Sequence, residues 1–115
     1  MAKSPFIDDG YTEEFVLPAG AHWPEVRGTF RPLPGPEVAE FSTRSIRAGK
    51  ADDVTGMYDA TVDALLMSIK TWDLKSPSGN LVAIAKESFG HLRKAFIEAL
   101  FVTIHPRTKA VDEKN

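Results

Sequence analysis

Six of the chain's eight prolines, Pro5, Pro18, Pro24, Pro32, Pro34 and Pro36, fall in its first third, and none recurs before Pro77. Proline fixes φ, carries no N–H and breaks a helix anywhere beyond the first turn. The segment up to Pro36 is therefore not helical, and helices are confined to the proline-free stretches 37–76 and 78–105. Gly10, Gly20, Gly28 and Gly35 reinforce that division. Within the first part, YTEEFVL (11–17) and EVRGTFRPL (25–33) read as two short strands joined by the turn-rich PAGAHWP. In the second strand Val26, Gly28 and Phe30 share one face and Arg27, Thr29 and Arg31 the other, the alternation of a half-buried strand. Pro32 ends the pairing because it has no N–H to donate.

Pro36 suits the first turn of a helix through EVAEFSTRSIRA (37–48). Val38, Phe41, Ser45 and Ala48 form its stripe, Ile46 lies off it, and Gly49 reads as its C-terminal cap. Asp52 or Asp53 caps a second helix, which the spacing carries to about Asp73 before Pro77 and Gly79 break it. Asn80 to Ala85 is either a short extended piece or an early helical turn. A third helix runs from about Lys86 to His105, where Pro106 stops it. The expected fold is α+β, mostly α: a small N-terminal β-hairpin followed by three helices, the last two long and packed together. A single domain is expected over 1–105, β-rich at 10–33 and helical at 36–105, with 106–115 a flexible polar tail.

The second and third helices carry more apolar surface than one core face needs. On the second, Val54, Tyr58, Val62, Leu65, Ile69 and Trp72 make one stripe. Met57, Ala60, Ala64 and Met67 make another, roughly 220° away at the helical period. Asp59 and Asp63 border it. On the third, Phe89, Leu92, Phe96, Leu100 and Thr103 form the inner stripe and Ile97, Phe101 and Ile104 widen it, leaving His91, Lys94, Glu98 and His105 as a polar wedge. Met57, Ala60, Ala64, Met67, Ile97 and Phe101 are the candidate partner-binding residues. Either this surface meets another chain, including a second copy, or it packs on the first helix and the N-terminal sheet. Trp72 reads as a structural anchor, its ring in the core and its indole N–H reaching a loop carbonyl.

Net charge is −2, and neither half of the chain is basic, so there is no electrostatic footprint for nucleic acid or an anionic membrane. The absence of cysteine excludes disulfides and thiolate metal sites. No apolar window spans a bilayer, and MAKSPFIDDGYTEE lacks a signal peptide's apolar region. His22, His91 and His105 are too dispersed for a metal centre. Asp8–Asp9 and Asp52–Asp53 fit a turn and a helix cap better than a catalytic pair. No serine has a placed histidine partner, and no phosphate-binding glycine motif occurs. Trp23, Arg27, Phe30 and Arg31 are a weak stacking platform, because alternation separates Phe30 from the arginines. No enzymatic activity and no cofactor are expected.

The chain resembles the small tail assembly chaperones of long-tailed bacteriophages over roughly residues 10–105. The resemblance lies in the order of short motifs. An aromatic-Arg-Pro (Phe30, Arg31, Pro32) precedes a helix with Glu37. Trp72 and Asp73 lead into a turn with Gly79, and a Leu-rich closing helix holds Leu92 and Leu100. The resemblance implies a binding function: such chaperones coat the apolar helices of the tape measure protein in the host cytoplasm before tail-tube subunits polymerise around it. Homo-oligomerisation is expected. The competing expectation is a structural virion or adaptor subunit whose apolar faces build a permanent ring.

Overall fold

A computed structural model of the protein describes residues 6–8 and 10–105, so the expected polar tail, 106–115, lies outside the described residues. The elements in chain order are β1 (Glu13–Leu17), β2 (Val26–Phe30), α1 (Gly35–Lys50), α2 (Val54–Ser68), β3 (Ile69–Trp72), α3 (Lys86–Phe89) and α4 (Lys94–Ile104). The architecture is α+β, with an antiparallel sheet ordered β1-β2-β3.

The N-terminal hairpin forms where the alternation places it. Phe15 pairs with Gly28 and Leu17 with Val26, and Phe15, Leu17, Val26 and Phe30 point into the core. The connecting loop folds on itself: Gly20 N donates to Trp23 O at 2.9 Å and the Trp23 indole to Pro18 O at 3.2 Å. The Trp23 ring then meets Phe96 edge-on at 5.4 Å. Trp23 is thus half-buried and Phe30 buried, so they do not form a stacking platform with Arg27 and Arg31.

Three expectations about the helices are corrected. The second helix does not reach Asp73: it ends at Ser68, and Ile69–Trp72 leave as a third strand beside β2. Ile69 and Thr71 are β-branched and favour strand, and the Ser68 hydroxyl turns back to Ala64 O at 2.8 Å, competing with helix continuation. The pattern could not separate the two states. Ile69 and Trp72 share a face at helical spacing, and here a register shift opposite Thr29/Phe30 lets both point inward from a strand. The third helix is split. Gly90 closes α3, a turn follows through His91 and Leu92, and α4 restarts at Lys94. Glycine weakens a helix interior, and the break lets Phe89 and Phe96 both reach the core. Gly49 does not cap α1, which runs on to Lys50; the left-handed residue between α1 and α2 is Asp52, at φ 54°. Asp53 caps α2 as expected, its Oδ1 accepting from Gly56 N at 2.9 Å.

α2 is the central helix. Val62 and Leu65 face the sheet and α4 in the main core with Phe89, Phe96 and Leu100, while α1 packs on its other side. Val54, expected on the core stripe, lies exposed in the first turn. Among the described residues no helix is long and apolar enough to cross a membrane.

Candidate functional site

The candidate partner-binding residues divide into two sets. Ala60 and Ala64 are 0% and 3% exposed, whereas Met57 and Met67 are 44% and 46% exposed. The alanines lie under α1, and the methionines emerge at the two ends of the same face. This corrects the expectation of an open stripe. The reason is steric: a methyl side chain lets α1 approach α2 closely, and a Cβ at Gly56 of α2 would stand 3.3 Å from the Ala48 methyl of α1. The seam between them is lined by Leu33, Phe41, Ala60, Ala64 and Met67, with Glu37, Glu40, Arg44 and Asp63 at its rim. Its free volume is about 40 Å³, far below what a helix needs.

On α4, Ile97 is buried and Phe101 half-buried, so neither is available as a free surface. Phe101 stacks on Phe41 of α1 at 5.2 Å, and α4 packs on β1. The apolar arc that looked surplus in the sequence is used twice, once against the sheet and once against α1. Val102 remains exposed beside Lys94 and Glu98.

The acidic border of the α2 face has partners that helical spacing alone did not reveal. Asp63 receives Arg44 at 3.0 Å, and Lys86 stands 3.8 Å from Asp63 and 3.9 Å from Asp59. These pairs are partly solvated, so they orient α1 and α3 more than they stabilise them.

Trp72 is 5% exposed. Its ring packs on Phe89 at 5.7 Å and its indole donates to Val82 O at 2.7 Å, tying the outgoing loop to the core from a strand rather than from a helix end. Asp73, also in the resemblance, extends the β2–β3 ladder. Its side chain accepts from Arg27 N at 2.8 Å and its own N–H donates to Arg27 O at 2.9 Å. Gly79 takes φ 89°, the left-handed value its turn requires. Arg31 holds the entering chain through Ile7 O and Asp8 O.

The outward sheet face, with Glu14, Val16, Arg27, Thr29, Thr71 and Asp73, is exposed and polar. Hydrogen bonding to Glu25 raises the Arg27 pKa, and hydrogen bonding to Glu13 raises that of Tyr11. His22 and His91 are exposed, while His105 is half-buried against Phe101, its Nε2 3.2 Å from the Ser68 hydroxyl. His105 therefore does not belong to a solvated wedge. The contact also corrects the reading that no serine has a histidine partner: Ser68 has His105 beside it, a pairing across 37 residues that the sequence did not reveal, and Ser68 is fully buried. Among the described residues no three His, Asp or Glu side chains group to hold a metal ion. No protein family, curated protein or solved structure matches this chain in the three comparisons made.

Proposed function

We propose that this chain is a non-catalytic assembly chaperone of the phage tail type. It holds apolar helical segments of a tape measure protein in the host cytoplasm, as a homo-oligomer, before tail-tube subunits assemble. Two things support the reading: the ordered motifs from Phe30 to Leu100, and the construction of α2. The observation that carries it is the α2 face itself. A small-residue centre, Ala60 and Ala64, lies beneath a single peripheral helix, with exposed methionines at both ends. Small residues admit close helix approach, and methionine adapts to varied partners.

The test is co-expression with the tape measure protein, followed by affinity purification of wild type and of Met57→Asp/Met67→Asp. The wild type should retain the partner and the double variant should lose it. Mass spectrometry of finished virions beside assembly intermediates then separates the competing reading: a chaperone is absent from the particle, whereas a ring-forming subunit is present.

A further inference from the structure

α1 is the least embedded of the long helices. Only Ala48 is buried; Glu37, Val38, Phe41, Ser42 and Ser45 are half-covered, and the other positions of the helix are exposed. Its packing is chiefly on α2, with one ring contact to α4. Its N-terminus, at Pro34, has no side-chain cap. The connection to α2 turns through Asp52 in the left-handed region. Before the helix, Arg31 N donates to Ser68 O at 2.8 Å, an anchor independent of α1. After it, the Asp53 side chain caps α2, while the Asp53 N–H donates to Ala48 O of α1 at 2.8 Å, a backbone bond that opening has to break. An element with few buried apolar contacts, bounded by fixed points, opens at lower free energy than the core.

We propose that α1 is a displaceable strap, opening as a unit about its two connections while the sheet, α2 and α4 stay folded. Its opening uncovers Ala60, Ala64 and Phe101 and joins them to the exposed Met57 and Met67. It also releases Asp63 from Arg44. A helix entering in its place would need what α1 presents: a large apolar residue in the position of Phe41, a cation in that of Arg44 and a small residue in that of Ala48. α1 is then an internal competitor that keeps the face covered until a ligand of that pattern arrives. The identity of the natural ligand rests on the chaperone reading; the opening of α1 does not.

Native-state hydrogen exchange of the unmodified chain is the first test. Amides of Phe41–Ala48 should exchange about tenfold or more faster than those of Val26–Phe30 and Phe96–Leu100. A single common rate for all three segments overturns the strap. The second test locks the helix. A Cβ at Gly56 would stand 3.3 Å from that of Ala48, a little under the roughly 3.5–4.5 Å of a disulfide. It would also crowd the Asp53 carboxylate that caps α2. The oxidised and reduced forms share that change, so it cancels between them, and the chain has no other cysteine. Ala48→Cys/Gly56→Cys is compared oxidised and reduced, using as probe a fluorescent synthetic peptide of residues 35–50. The reduced form should bind at least about tenfold more tightly; equal binding to both forms overturns the proposal. If the strap opens but no tape measure protein co-purifies with the wild type, the chaperone reading falls and the strap stands.

Discussion

The indole nitrogen of Trp72 donates to the carbonyl oxygen of Val82 at 2.7 Å across the Ser76–Asn80 turn. The same ring lies against Phe89, so one side chain joins β3, the outgoing loop and α3. Trp72→Ala should cost about 3–5 kcal/mol, the range for a large aromatic removed from a core. Trp72→Phe retains most of the packing but leaves Val82 O without that donor, at about 1–2 kcal/mol. Urea unfolding of the two variants measures the difference; a loss near zero for the alanine variant would show that the ring is not core.

Gly28 sits where β2 meets both neighbours. A Cβ there would run into the Thr71 carbonyl and stand 2.8 Å from the Phe15 ring. Backbone cannot yield as a side-chain tip can. Gly28→Ala should therefore destabilise the protein by about 1–3 kcal/mol, the cost of overpacking. The loss should be accompanied by faster exchange of the Ile69–Trp72 amides, the strand that has to move away.

Ser68 closes α2 by serving three elements. Its hydroxyl donates to Ala64 O and lies within hydrogen-bond distance of His105 Nε2, while its carbonyl accepts from Arg31 N. Ser68→Ala removes only the hydroxyl bonds and should cost about 1–2 kcal/mol. In a double-mutant cycle with His105→Phe the two changes should be non-additive by about 0.5 kcal/mol or more. Additive losses in thermal unfolding would show that the contact contributes nothing.

The two halves of the α2 stripe should respond in opposite ways to one charge. Ala60→Asp with Ala64→Asp puts unpaired carboxylates beneath α1 and should expel it, visible as loss of exchange protection at Phe41–Ala48 while Val26–Phe30 and Phe96–Leu100 keep theirs. Met57→Asp with Met67→Asp changes positions that are nearly half exposed and should leave a cooperative transition at a cost of about 1 kcal/mol. Wild-type protection of the α1 amides in the Ala60/Ala64 double variant would mean that α1 does not cover this face.

What the sequence determined by itself was set by local chemistry. Proline and glycine kept helices out of the first third, alternation gave β2 its inward face, and Asp53 marked the start of α2. Trp72 was legible as a buried anchor because a large aromatic followed at once by turn residues has few other uses. What the sequence left open were choices between states of equal local merit. Ile69 and Trp72 are inward-facing whether they continue α2 or pair with β2, and only the free edge of β2 decides for the strand. Gly90 weakens a helix without forbidding one; the need to bury both Phe89 and Phe96 decides the break. The same limit governs the candidate site. Periodicity shows that α2 is apolar on two sides, but Ala60 and Ala64 are interior because α1, contiguous in sequence, folds back on them, while Phe101 is claimed by Phe41. Whether an apolar face meets its own chain or another is a property of tertiary packing, since the spacing of residues on one helix carries no information about what stands opposite.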